Sequence, residues 1–90
     1  MAFSPQFESD YIRQFAKLVR QGTSAAAYTE YVRRIGDALL EIADPKITAE
    51  AQELLTRISN FGFIRIEDPK SSRNDIADAI EKLADFVSTI

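Results

Sequence analysis

Apolar residues recur along the chain at the three- and four-residue spacing of amphipathic helices, in four separate runs. In the first, Phe7, Tyr11, Phe15 and Leu18 share one face with Ile12 and Val19 beside them, and Arg13, Lys17 and Arg20 form a stripe opposite. Ser4 followed by Pro5 gives this run a helix start, and Gly22 gives it a stop. The pattern predicts a helix over 4–21.

The second run opens at a Thr23 or Ser24 cap and aligns Tyr28, Tyr31, Val32, Ile35, Leu39 and Ile42. Glu30–Arg34 and Arg33–Asp37 are spaced for i,i+4 pairs on its polar side. Leu40 falls off the apolar face, and Gly36 in mid-helix predicts close packing against a neighbour. The third run, over 48–60, aligns Ile47, Ala51, Leu54, Leu55, Ile58 and Phe61. The fourth, from Ser72 to the C-terminus, aligns Ile76, Ile80, Leu83, Val87 and Ile90, with Ala79 and Phe86 at its edge.

A repeated phrase separates these runs, "IADPKIT" at 42–48 and "IEDPKSS" at 66–72. Proline disfavours a helical conformation in the residue before it, and Asp accepts backbone N–H bonds in turns. Each copy therefore reads as a stop and a turn, with Thr48 or Ser72 as the next cap. The stretch "NFGFIRIED" at 60–68, β-branched and aromatic, predicts a short irregular or extended link near 61–68.

Four apolar faces satisfy one another most simply as an all-α, compact bundle of about four helices, a single domain over 1–90. Ninety residues suit one such domain, and 46% apolar with 28% charged residues is an ordinary globular balance. No apolar run approaches the roughly 20 residues that span a bilayer. The N-terminal segment has neither the basic region nor the apolar core of a secretory signal. A cytoplasmic protein without membrane contact is the expectation.

Charge is uneven. Residues 1–34 carry a net +2 and residues 35–90 a net −5, and this acidic balance disfavours nucleic acid as the partner. The absence of His and Cys removes the commonest general base, metal ligand and activated nucleophiles, and no phosphate-binding glycine loop is present. A non-enzymatic protein with no cofactor and no metal follows as the expectation.

The function that remains is a small protein-binding module acting by surface occlusion: a regulator, inhibitor, adaptor or immunity-type protein. Its candidate contact groups are Tyr28, Tyr31, Arg33 and Arg34, or the acidic face Asp75, Asp78, Glu81 and Asp85. Leu40, Phe63, Ile64 and Ile66 are candidates for self-association into a homodimer.

A second reading comes from 54–73, where Gly62, Phe63, Ile64, Arg65, Asp68, Pro69 and Arg73 follow a helix rich in Leu and Arg. This outline resembles the junction of recognition helix and wing in winged-helix repressors of the multiple-antibiotic-resistance type. The resemblance implies a DNA-binding transcriptional regulator with the 48–60 helix in the major groove and a β-hairpin after Gly62. Glu50 and Glu53 on that helix repel phosphates, and "NDIADAIEKL" has the pattern of a helix rather than a wing strand.

Overall fold

The computed structural model describes residues 3–65 and 72–90, with the backbone alone for 61–65 and 72. Four helices occur among the described residues: α1 (Pro5–Gln21), α2 (Ala25–Leu39), α3 (Pro45–Arg65) and α4 (Ser72–Ser88). They form an all-α bundle measuring 38 × 20 × 19 Å, with no strand among the described residues. In cross-section α1 lies beside α4, α4 beside α3, α3 beside α2, and α2 closes the ring on α1.

The helix ends follow from local chemistry. Ser4 Oγ accepts from the Phe7 N–H at 3.4 Å, and Ser24 Oγ accepts from the Ala27 N–H at 3.1 Å, so Ser24 rather than Thr23 is the cap of α2. Gly22 ends α1 with φ +103°, a conformation that side chains rarely adopt, and its N–H donates to Val19 O at 3.2 Å.

Two boundaries differ from expectation. The helix expected to start at a Thr48 cap starts at Pro45 instead. Asp44 is its cap, because Asp44 Oδ1 accepts from the Lys46 N–H at 2.9 Å and Asp44 O from the Thr48 N–H at 3.0 Å. Proline is well suited to the first helical turn, where its missing N–H has no partner to lose. Thr48, already inside the helix, shares its one hydroxyl proton between Asp44 O at 3.0 Å and Ile42 O at 3.1 Å. The second Asp-Pro-Lys copy lies outside the described residues; Ser72, expected as the cap, is instead the first residue of α4.

The other difference is at 61–65, expected as an irregular or extended link. These residues continue α3 without interruption to Arg65, so helix context overrides the local β propensity. Residues 66–68 of the expected link lie outside the described residues. The hairpin that the winged-helix resemblance implies after Gly62 is not formed there, since Gly62–Arg65 are helical.

The core is continuous through all four helices and includes Ile12, Phe15, Tyr28, Ile35, Leu39, Leu55, Ile58, Ile76, Ile80 and Leu83. Side-chain size sets the spacing of the helices. Ser9 and Ala16 on α1, and Ala77 and Ala84 on α4, are fully buried small residues at seven-residue spacing. They let α1 and α4 approach closely over the most extensive helix contact in the bundle. The chain directions are opposed, since Arg13 pairs with Asp85 and Arg20 with Asp78.

The α1–α2 contact is built differently, from large rings. Phe15 stacks on Tyr31 (centroids 4.9 Å, interplanar angle 2°) and meets Tyr28 edge-on at 5.1 Å. Tyr31 continues to Tyr11 at 5.4 Å. Across α2 and α3, Gly36 gives the close approach expected of it. A Cβ there would stand 3.3 Å from Leu55 Cδ2, and Gly36 O accepts from Gln52 Nε2 at 3.0 Å.

Tyr28 ties α2 to α3 through its hydroxyl, which donates to Ile58 O at 2.6 Å. Burial pushes its pKa well above the ordinary 10.0. The folded state therefore holds this proton more tightly than the unfolded chain. Stability from Tyr28 is complete below pH 10 and falls as pH rises above it, because the unfolded chain ionises first. Tyr28→Phe is expected to cost about 1 kcal/mol at neutral pH and to flatten the alkaline fall in melting temperature. Thermal melts from neutral to strongly alkaline pH check both effects. An alkaline fall equally steep in the variant would assign it to other groups.

Candidate interaction surface

The residues singled out by sequence separate into distinct environments. Tyr28 is 1% exposed and belongs to the core, so it is not part of any surface. Tyr31 is half-buried on the Phe15 ring. Arg33 is exposed and bonds Glu30 at 2.8 Å, with Asp37 more distant at 4.0 Å. The expected Glu30–Arg34 pair does not form, because Arg34 turns toward α1 instead.

The acidic face of α4 is largely engaged within the molecule. Arg20 bonds Asp78 at 2.6 Å and Glu81 at 3.2 Å, and also reaches Asn74 at 3.4 Å. Arg13 bonds Asp85 at 3.0 Å and Ser9 Oγ at 2.6 Å. These carboxylates hold the Arg20 guanidinium still further above its ordinary pKa. The basic stripe of α1 and the acidic face of α4 are thus two sides of one seam, and only Asp75 of the four carboxylates has no ion pair among the described residues. Exposed pairs of this kind contribute little to stability, but they fix which edges of α1 and α4 meet.

Of the self-association candidates, Leu40 is 65% exposed, just past the end of α2. For Phe63 and Ile64 only the helical backbone is described, and Ile66 lies outside the described residues.

A site not anticipated from sequence occupies the end of the bundle where α1 begins and α2 finishes. Phe3, Ser4, Phe7 and Glu8 form one wall of an open cleft of about 580 Å³. Arg34, Asp37, Ala38 and Glu41 form the other. Phe7 is 58% exposed here although it shares a helix face with the buried Phe15, while Phe3 and Tyr11 on either side of it are half-buried. Leu40 lies at the same end, between Ala38 and Glu41 in sequence.

The cleft has a rigid polar base. Arg34 Nη1 bonds Glu8 Oε2 at 2.8 Å, with the Glu8 side chain only 11% exposed. The Arg34 guanidinium also lies 4.1 Å above the Tyr11 ring and 5.9 Å from that of Phe7. The hydrogen bond to Glu8 raises the Arg34 pKa against the opposing effect of burial, and Glu41 adds to the rise. Three carboxylates and one guanidinium line the cleft, so two negative charges are left over.

The spacing of Phe3 and Phe7 was the one sequence signal for this site. It reports which face of α1 they share, but not how far the neighbouring helix reaches to cover them. Among the described residues no group of three or more His, Cys, Asp or Glu side chains converges as a metal site, and no helix is long and apolar enough to cross a membrane.

Comparison with protein-family models, with curated proteins and with solved structures gave no significant match to this chain.

Proposed function

We propose that this chain is a small, non-enzymatic, cytoplasmic protein-binding module that acts by occluding a partner's surface, as a regulator, inhibitor, adaptor or immunity-type protein. The observation that carries this reading is the exposure of Phe7 and Leu40, the two most exposed large apolar side chains among the described residues, at one end of the bundle. Large apolar groups beside a cleft are costly to leave in water and gain about 25 cal/mol per Å² when a partner covers them. A chain without His or Cys has few side chains suited to catalysis at neutral pH, which also favours binding.

Affinity capture from a native lysate, with and without nuclease, tests the reading. A protein recovered in stoichiometric yield, resistant to nuclease and lost with the double variant Phe7→Ser/Leu40→Ser, is the expected result. Recovery that collapses with nuclease would point to nucleic acid. Recovery indifferent to the double variant would move the surface elsewhere.

A further inference from the structure

We propose that the α1–α2 cleft accepts a cationic segment of a partner protein, with one large apolar side chain against Phe3 and Phe7 and a Lys or Arg between Asp37 and Glu41. This inference rests on the protein-binding reading and adds the chemistry of the partner.

The charge balance of the cleft gives the sign. Glu8 is already neutralised by Arg34 at 2.8 Å, so that pair serves as a fixed polar base rather than a free charge. Asp37, near the end of α2, and Glu41, in the turn just past it, both line the cleft, and neither is firmly engaged. Asp37 reaches Arg33 only at 4.0 Å, while Arg33 bonds Glu30 at 2.8 Å. Glu41 has no ion pair among the described residues. A cation placed between them gains two attractions and displaces no strong bond, whereas an anionic segment meets two like charges.

The shape selects a chain segment over a small molecule. Binding sites for small ligands bury most of the ligand surface, but this cleft is open and leaves Phe7 more than half exposed. An apolar anchor on a peptide needs only one covered face, with the rest of the partner screening the rim. A second copy of this chain fits poorly, because a two-fold contact here brings the same carboxylates face to face.

Three short synthetic peptides test the assignment by fluorescence anisotropy against the intact protein. One is built of leucine, alanine and lysine. The second has glutamate for lysine, and the third has alanine for leucine. The first is expected to bind at least about tenfold more tightly than either of the others, and to weaken as salt rises. Phe7→Ser and Glu41→Lys should each remove that preference, while Asp78→Lys, on the α4 seam, leaves it intact. Circular dichroism confirms that each variant is folded.

Equal binding of the three peptides, or a preference untouched by Phe7→Ser and Glu41→Lys, would overturn the proposal. If the first peptide does not bind but a protein is still captured through Phe7, the cationic assignment fails and the protein-binding reading stands. Loss of both removes both.

Discussion

Phe15→Ala is expected to lower the unfolding free energy by about 3–5 kcal/mol, the range for removing a buried aromatic ring from a packed core. Phe15 is 1% exposed and shared between two partners, stacked on Tyr31 and edge-on to Tyr28. Its loss leaves a cavity between α1 and α2 and takes away the common neighbour of both tyrosines. The α1–α2 backbones are too far apart to close that gap, because their contact is made by rings rather than by small residues. For a domain of this size the melting temperature should fall by roughly 15–30 °C, with denaturation in urea as the second readout. Phe7→Ala, two turns away on the same stripe, should change stability by no more than about 0.5 kcal/mol, since Phe7 is 58% exposed. Equal costs at the two positions would mean that the first turn of α1 is covered, and the cleft as described would not exist.

Arg34→Met is the second large effect, expected at about 1.5–3 kcal/mol. It strips Glu8, whose side chain is 11% exposed, of its 2.8 Å partner and leaves a carboxylate uncompensated at the base of the cleft. The cation–π contact with Tyr11 at 4.1 Å is lost with it. The expected cost is kept below that of a fully buried pair because Arg34 is itself 39% exposed and water reaches the site. The double variant Glu8→Met/Arg34→Met should recover much of the loss, since removing both charges leaves nothing unpaired. A double variant as unstable as the sum of the two single ones would show that the ion pair contributes no coupling and that Arg34 acts by packing alone. Chemical denaturation of the four proteins provides the cycle.

These expectations depend on features of unequal visibility in the sequence. The four helices were legible because each carries its apolar face at helical spacing, and Ser4 and Gly22 mark the ends of α1; the cap of α2 was narrowed only to Thr23 or Ser24, and the Ala27 N–H bond decides for Ser24. Asp44-Pro45 was not, because Asp and Pro serve equally well to end one helix and to begin the next; the hydrogen bond from the Lys46 N–H decides for the beginning. Residues 61–65 have the composition of a strand, yet no partner strand exists among the described residues, and the helix already under way continues through them.

The surface was less legible than the fold, for one physical reason. Periodicity shows which residues share a face, while function depends on which faces meet. Arg13 and Arg20 on α1 and Asp78, Glu81 and Asp85 on α4 read separately as two solvated faces, and become one seam only when α1 and α4 are antiparallel neighbours. Arg34 similarly has Glu30 as its local partner by spacing, but it bonds Glu8 across the bundle. The cleft was invisible for the same reason: Phe7 differs from Phe15 only in what the rest of the chain places over it.

The measurement that bears most directly on the central claim is the affinity of the captured partner for Phe7→Ser and for Asp78→Lys, by calorimetric titration. The account predicts binding at least about tenfold weaker for Phe7→Ser, some 1.4 kcal/mol or more, and unchanged for Asp78→Lys. Binding lost with Asp78→Lys and retained with Phe7→Ser would contradict it and place the functional surface on α4.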